Sequence, residues 1–257
     1  MDRLTVSPAF QAMWAKLGLS RVAEAVEKFL PDYQQRRKVT VLPVTLHDGT
    51  GRIDAYFKLY HHREGGWRFW LRASKSRIEF KNYEIFQRLA VSAAEPIAFC
   101  EERDVFGRLH RDFVLTRAVP GAQGLDEFFQ QHPTRSHREP LAIQLAEMLR
   151  RLHSANFVYH DLVWRNILVS VTHGSAPKLF LIDCPRGGVT RLFTRRHLFR
   201  DLASLDKTAS QLCSRTERLR FFLHYVGEKR LTNEMRRMVR ACLEYRRTRW
   251  PEDWRGR

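Results

Sequence analysis

Two acidic motifs, each joined to an apolar run, constrain the fold of this chain more than any other feature. The first is Tyr159-His160-Asp161-Leu162-Val163-Trp164-Arg165-Asn166-Ile167-Leu168-Val169, and the second is Leu179-Phe180-Leu181-Ile182-Asp183. In phosphoryl transfer, one Asp orients and accepts the proton of an attacking hydroxyl, while an Asn and a second Asp hold Mg²⁺ against the nucleotide phosphates. The order and spacing favour a kinase. The alternative is a β-hairpin, Ile167 to Ile182, with polar ends by accident.

Composition sets the broad class. A chain of 257 residues with 44% hydrophobic and 12% aromatic residues is typical of one large globular domain or two small lobes. Its four cysteines form no CxxC pair, which argues against zinc and a disulfide framework and favours a reducing compartment. We find no signal-peptide core and no stretch of about 18 apolar residues. We therefore expect a cytoplasmic protein whose membrane contact is peripheral.

The first part of the chain is predicted to be mainly strand. The strand Ile53 to Tyr60 carries Lys58, which is either a solvated lysine or, in a kinase, the residue that pairs with the α- and β-phosphates and a helix glutamate. The following helix, 76–90, offers two candidates. Glu79 shares a face with the apolar stripe, whereas Glu84 lies on a more polar face, so we prefer Glu79.

The remaining elements of this part are predicted as follows. A helix runs from Leu17 to Leu30 and is capped by Ser20. The strands are Val39 to Leu42 and Val44 to Leu46, bent or at a sheet edge because of Pro43, and Pro96 to Phe99 and Phe113 to Thr116, with a turn from Asp48 to Gly51.

The stretch His61 to Arg72 alternates aromatic residues with arginine. This pattern suits an anionic membrane interface. A short helix that packs Trp67, Trp70 and Leu71 on the first lobe explains it equally well. The two histidines lack a partner at metal spacing, and we assign no site to them.

We predict an α+β, protein-kinase-like fold of two lobes. Residues 1–118 would form an antiparallel sheet with one helix that positions the nucleotide. Residues 119–257 would be mainly helical and carry the catalytic loop and the metal site. Val119-Pro120-Gly121 is the predicted hinge, and helices are expected at Leu125 to Gln131 and Leu141 to Ser154.

The second lobe carries most of the positive charge. The net charge is +17 and the isoelectric point about 10.4, and residues 186–257 hold 19 Lys and Arg against 8 Asp and Glu. A charged helix is most often only a solvated face, but an imbalance this one-sided favours an anionic partner. The helix near the end is predicted to bury Met235, Met238, Val239 and Cys242 and to cover its other faces with Arg236, Arg237, Arg240, Arg246 and Arg247.

Beyond these patterns, the sequence resembles a known family, the bacterial lipopolysaccharide core kinases (Kdo/WaaP, heptose kinases), from about Leu30 to Leu231. The matching segments are Tyr56-Phe57-Lys58-Leu59-Tyr60-His61, Glu79-Phe80, Arg151-Leu152-His153, His160-Asp161, Leu181-Ile182-Asp183 and Arg200-Asp201-Leu202-Ala203. The resemblance implies phosphorylation by ATP of an inner-core sugar, heptose rather than Kdo, at the cytoplasmic face of the inner membrane of a Gram-negative bacterium.

The same resemblance implies roles for single residues. Asp161 corresponds to the catalytic base, Asn166 and Asp183 to the Mg²⁺ ligands, and Lys58 with Glu79 to the nucleotide-positioning pair. It also favours Glu79 over Glu84 independently of the facial argument.

Three departures from the kinase pattern stand out. Gln34-Gln35-Arg36-Arg37 stands where a Gly-rich loop is usual, and Cys184-Pro185 follows Asp183 in place of Phe-Gly. Val163 occupies the place of a cation near the γ-phosphate. Arg165 could supply that charge and is our second catalytic candidate, or it could only brace the loop.

The acceptor is expected to be a sugar and not a peptide. Only a short segment separates Asp183 from Asp201, which leaves little room for a peptide-docking segment and leaves space for a bulky glycolipid. The phosphates and carboxylates of lipopolysaccharide precursors and anionic lipid headgroups suit the basic lobe. No nucleic-acid partner is expected. Two alternatives remain: an antibiotic-type phosphotransferase, disfavoured because it needs an acidic pocket, and a non-catalytic pseudokinase that binds membrane or nucleic acid.

Overall fold

The computed structural model describes residues 2–31, 38–47, 51–62, 70, 72–132, 134–172 and 175–254. The chain divides into two compact units. The first unit comprises Met1–Ile85 and Ala94–Ala118, and the second comprises Phe86–Ala93 and Val119–Arg257.

Helices and strands follow in chain order. The strands are β1 Asp2–Val6, β2 Val39–His47, β3 Arg52–His61, β4 Pro96–Arg103, β5 Leu109–Arg117, β6 Ala122–Gly124, β7 Phe157–Val158, β8 Ile167–Ser170, β9 Lys178–Leu181 and β10 Gly188–Val189. The helices are α1 Gln11–Leu17, α2 Val22–Phe29, α3 Lys75–Arg88, α4 Leu125–Gln131, α5 Arg135–Ser154, α6 Arg195–Leu212, α7 Arg215–Val226 and α8 Asn233–Arg249.

The first unit is built on a five-stranded antiparallel sheet of order β1-β4-β5-β3-β2. Because successive side chains of a strand point to opposite faces, β3 sends Phe57 and Leu59 into a core shared with α1 and α2. The opposite face carries Tyr60 from β3 and Val114 from β5, which pack with Phe80 of α3. Lys58 alternates onto this second face, so the pleat directs it to the side on which α3 packs.

The second unit joins short strands to five helices within its described residues. Strands β6, β8 and β9 form one antiparallel sheet, and β7 pairs with β10. The predicted apolar stripe of α5 is confirmed, since all its members are buried: Leu141, Leu145, Met148, Leu149 and Leu152.

The helix predicted from Leu17 to Leu30 is present as α2, but it begins later, at Val22, and ends at Phe29. Helix α1 ends at Leu17, and Gly18, at a φ of 65°, separates it from α2. The residue before the first turn of α2 is Arg21, whereas Ser20 was the predicted cap. Instead, the backbone amide of Ser20 donates to the carboxylate of Glu24, in the first turn of α2, over 2.7 Å. A side chain of the helix itself therefore caps the amide that precedes it.

Two other boundaries differ from the predicted ones. Strand β2 runs without interruption through Pro43, which is tolerated because β2 is an edge strand, the second of the two possibilities that the sequence left open. Helix α5 begins at Arg135 and contains Pro140. The ion pair between Arg135 and Glu139 supports the turn before that proline.

The predicted basic face of α8 contains one error. Arg246 is buried, and it contacts the Asp206 carboxylate at 2.6 Å and the Ser210 hydroxyl at 2.7 Å. Arg236, Arg240 and their neighbours on that face are exposed, as predicted. A buried arginine whose partners come from another helix has no signature in the sequence pattern of its own helix.

Several predictions concern residues outside the described part of the chain. These are the Gln34 to Arg37 stretch, most of the Asp48 to Gly51 turn and most of the aromatic and arginine-rich stretch 61–72. Across the residues that are described, no helix has both the length and the apolar character needed to cross a membrane.

The cysteines are all free thiols, and Cys100 and Cys184 are buried. Burial raises the pKa of Cys100 to about 12, that of Cys213 to about 11 and that of Cys242 to about 12. These three thiols are therefore protonated at neutral pH.

Candidate active site

In the first unit, Lys58 meets Glu79. The Nζ atom of Lys58 lies 3.1 Å from Oε2 of Glu79, and their side chains are only 12% and 3% exposed. The hydroxyls of Tyr60 and Tyr83 each donate to the Glu79 carboxylate over 3.0 Å. Glu79 therefore accepts from three side chains and is held on β3, as the facial argument favoured; Glu84 is exposed.

The beginning of α3 is held by carboxylates from the sheet below it. Asp112 of β5, fully buried, accepts from the backbone amide of Ser76 over 2.9 Å and lies 2.5 Å from the Nε2 atom of His62. Glu101 of β4 accepts from the amide of Ser74 over 3.2 Å. These carboxylates satisfy amides of the first helical turn and fix the height at which Glu79 meets the sheet.

In the second unit, Asp161 and Asn166 belong to one loop. The side-chain amide of Asn166 donates to the backbone carbonyl of Asp161 over 2.9 Å, and the amide of Val163 donates to the same carbonyl over 2.8 Å. A 3₁₀ turn, Trp164–Asn166, completes the loop, and the Trp164 indole nitrogen anchors it to the carbonyl of Leu205.

Asp183 lies at the same end of the β8–β9 pair as Asn166. Ile167 faces Leu181 in the ladder, and the amide of Ile182 donates to the carbonyl of Asn166 over 3.0 Å. Asp183 itself has a φ of 59°, and His160, before Asp161, has a φ of 72°. Left-handed backbone at non-glycine residues is costly and concentrates at functional sites.

Asp201 of α6 supports the loop from behind. Its buried carboxylate accepts from the backbone amides of Tyr159, over 2.7 Å, and of His160, over 2.9 Å, and lies 3.4 Å from the ring of His153. Sequence reasoning used Asp201 only as part of a matching segment and assigned it no role. Its distance of 40 residues from the loop hides the contact, and the only signal was an acidic residue on the apolar side of a helix.

Asp161 has a cationic partner to which the sequence patterns assigned no role. Arg186 forms an ion pair with the Asp161 carboxylate, while Arg165 is exposed. Arg186 follows Asp183 by three residues, on the segment where Cys184-Pro185 replaces the usual pair. Cys184 is buried with its Sγ atom 3.9 Å from the Tyr159 carbonyl, so this segment packs against the loop.

The environment of His160 is unfavourable to a positive charge. Burial, and then the nearby charge of Arg200, lower the pKa of His160 below its ordinary value. A neutral imidazole therefore stands beside Asp161 at neutral pH.

The residues present fit a magnesium ion. The nitrogen of the Asn166 amide donates to the Asp161 carbonyl, so the amide oxygen is the atom that could serve as a hard ligand, and the second candidate ligand, Asp183, carries a carboxylate. Among the described residues, no group of three or more His, Cys, Asp or Glu side chains could hold a metal alone. Such a sparse donor set suits Mg²⁺, which commonly takes its remaining ligands from water and substrate phosphates.

The fold of the chain is that of a kinase of known structure. A solved structure described as "WaaP in complex with acyl carrier protein" is similar to this chain with a TM-score of 0.74, over 98% of this chain and 99% of that one, at 21% identity. The predicted α+β, protein-kinase-like fold of two lobes is confirmed.

The family follows from the sequence comparison. The profile of the lipopolysaccharide kinase (Kdo/WaaP) family matches residues 35–225. The chain belongs to this family and is a kinase that acts in lipopolysaccharide core synthesis. Comparison with curated proteins gave no match.

Proposed function

We propose that this protein transfers the γ-phosphoryl group of ATP to a hydroxyl of an inner-core heptose of lipopolysaccharide. The observation that carries the proposal is the hydrogen bond from Asn166 to the Asp161 carbonyl. It joins the proposed base and a proposed metal ligand in one loop, within a chain of a lipopolysaccharide kinase family.

Each site residue has a role in this reaction. Asp161 accepts the proton of the attacking hydroxyl, the new oxygen–phosphorus bond forms, and the bond to the leaving ADP breaks. Lys58, held by Glu79, binds the α- and β-phosphates. Mg²⁺, held by Asn166 and Asp183, would neutralise charge on the nucleotide phosphates.

The test is transfer of labelled phosphate from ATP to a core glycolipid in the presence of Mg²⁺. Asp161→Asn keeps the size of the side chain and removes its basicity, so turnover should fall by at least about 10³-fold. The variant should keep the thermal stability of the wild type. Unchanged turnover in Asp161→Asn would show that the base lies elsewhere.

Two glycolipid substrates can show whether the acceptor sugar is heptose or Kdo. One glycolipid ends at Kdo, and the other carries the inner-core heptoses. We expect label only in the second, with mass spectrometry placing the phosphate on heptose. Transfer to the Kdo-terminated glycolipid would favour Kdo as the acceptor sugar.

We also propose that the protein works at the cytoplasmic face of the inner membrane, through its basic second unit. The exposed arginines of α8 supply charge for anionic headgroups. Binding to phosphatidylglycerol vesicles should weaken as salt is raised, and replacing Arg236, Arg237 and Arg240 by Glu should remove most of it.

A second partner is suggested by a cavity in the second unit. It has a volume of about 700 Å³, its walls are mainly apolar and include Phe129 and Leu205, and arginines such as Arg215 also line it. Since the similar structure holds an acyl carrier protein, we propose that this chain binds one too. Carboxylates or the phosphate-linked arm of the carrier would contact the arginines, and its acyl chain would occupy the cavity.

This partner is tested with purified carrier protein in acylated and unacylated forms. Calorimetry should show tighter binding of the acylated form, and Leu205→Trp, which fills the cavity, should remove that difference. Equal binding of both forms would argue against an acyl site in the cavity.

A further inference from the structure

Arg186 contacts the carboxylate that the proposed reaction uses as its base. We propose that Arg186 is a catalytic residue whose guanidinium also contacts the transferring phosphoryl group in the transition state. This assignment rests on the proposed kinase function and adds to it a residue outside the sequence motifs of the site.

The backbone that carries Arg186 is fixed against the catalytic loop. Strand β10 begins two residues after Arg186 and pairs with β7, which leads directly into the loop. The amide of Thr190 continues the ladder by donating to the Asn156 carbonyl over 3.0 Å. Gly187 is packed so closely that a Cβ atom there would lie 2.3 Å from Sγ of Cys184 and 3.0 Å from the Val158 carbonyl oxygen.

The partner carboxylate is fixed as well. The Asp161 carbonyl accepts from Asn166 and Val163, and Asp201 holds the two amides that precede Asp161. Both residues of the ion pair therefore start from backbone that is held in place, Arg186 by the pairing of β10 with β7 and Asp161 by its own loop and by Asp201.

The expected distances between Asp161, the acceptor hydroxyl and the phosphorus place the guanidinium of Arg186 close to the phosphoryl group. An acceptor hydroxyl bound by Asp161 lies about 2.6–3.2 Å from the carboxylate, and the phosphorus it attacks lies about 3–3.5 Å further on. A guanidinium that touches the same carboxylate is therefore a neighbour of the phosphoryl oxygens. Arginine has five N–H donors, so it can keep Asp161 and bind those oxygens together.

The chemistry requires a charge at this place. During transfer, negative charge spreads over three oxygens of the phosphoryl group, and an arginine that meets them accelerates transfer by about 10³–10⁵-fold in other phosphotransferases. Arg186 exchanges no proton in this step. The hydroxyl proton goes to Asp161, and the electron pair of the broken bond leaves with ADP.

An inhibitory role, in which Arg186 blocks Asp161 until substrate binds, is disfavoured because the ion pair is too weak. The Arg186 side chain is 62% exposed and that of Asp161 30% exposed. An ion pair this accessible to water favours the paired arrangement over the open one by less than about tenfold. Displacing it would barely affect the rate, whereas its charge at the transition state would affect it strongly.

The test compares Arg186→Ala with Arg191→Ala, an exposed arginine of the same segment. Arg186→Ala should lower kcat for transfer by at least about 10²-fold with little change in the KM for ATP, and Arg191→Ala should stay within about threefold. Added guanidinium ion should restore part of the activity of Arg186→Ala only. A purely structural role of Arg186 gives no such rescue.

A second measurement needs no acceptor and keeps the two proposals distinguishable. Calorimetry compares ADP with ADP plus aluminium fluoride, which imitates the transferring group. Arg186→Ala should weaken the analogue by at least about tenfold and leave ADP unchanged. Equal losses for both ligands, loss in Arg165→Ala instead, or faster turnover in Arg186→Ala would each overturn the assignment. Failure of the wild type to phosphorylate any core glycolipid would count against the proposed function alone.

Discussion

Each unit contains one ion pair of candidate functional residues, and the two pairs are built in opposite ways. Lys58–Glu79 is almost completely buried, and two tyrosine hydroxyls brace it. Asp161–Arg186 is open to water, and its order comes from the backbone on either side. A buried pair resists exchange because breaking it leaves an uncompensated charge, whereas an exposed pair exchanges partners at little cost.

This difference matches what the proposed reaction asks of each pair. The α- and β-phosphates do not move during the reaction, so the lysine that binds them should have a fixed position. A base and a cation that meet a hydroxyl and a moving phosphoryl group must be reachable. The first pair is preorganised through its side chains, and the second through its main chain.

The largest effect should come from breaking the buried pair. Glu79→Gln removes the charge that Lys58 faces, so we expect kcat/KM for ATP to fall about 100-fold and the free energy of unfolding to fall by about 3 kcal/mol. Steady-state kinetics and urea unfolding measure these. Glu84→Gln, on the exposed side of α3, is the matched control, and comparable losses there would contradict the difference between the two glutamates.

Removing the backbone support of the exposed pair should cost less stability. Asp201→Asn places an amide group against the two backbone N–H groups of Tyr159 and His160, and we expect a loss of about 2 kcal/mol and more than tenfold in kcat. Ser204→Ala, a buried change on the same helix, is the control. A variant with full activity would mean that Asp161 does not depend on this support.

A similar effect on stability, with a smaller effect on activity, is expected at Gly187. The added methyl of Gly187→Ala would meet Cys184, Phe157 and the Val158 carbonyl, costing about 1–3 kcal/mol. At Gly188 nothing lies within 4 Å of the corresponding position, so Gly188→Ala should be close to wild type. Thermal melting of the two variants makes the comparison, and equal melting temperatures would show that β10 is not held as tightly as the packing indicates.

The smallest effect concerns pH. Burial lowers the pKa of His160 below the ordinary 6.5, so the unfolded chain binds a proton that the folded chain does not. Its contribution to stability is therefore lost as pH falls from 6.5 towards the lowered value. Melting temperatures between about pH 7.5 and about pH 5.5 should fall less in His160→Asn, where asparagine tolerates the left-handed backbone. An identical fall in both proteins would place the effect on other groups.

The sequence predicted what depends on local pattern. Strand β3, helix α3 and the stripe of α5 follow from periodicity, and the choice of Glu79 over Glu84 follows from which helix face is apolar. Position on a face does not reveal which long-range partner a side chain will find. Asp201 behind the loop, Arg186 at Asp161 and Arg246 inside α8's packing all depend on contacts between distant segments. The late start of α2 at Val22 was missed for a different reason, because apolar residues also lie just before it, at Leu17 and Leu19.

Thiols with a raised pKa react slowly with alkylating reagents, since the thiolate is the attacking species. Cys100 and Cys184 are buried, and the half-buried Cys213 and Cys242 have raised pKa values, so the folded protein should react only slowly with maleimide at neutral pH. A cysteine introduced at an exposed position could then carry a fluorophore without removal of the native four. Conversely, the onset of labelling in the native sequence would report the opening of either unit, Cys100 for the first and Cys242 for the second.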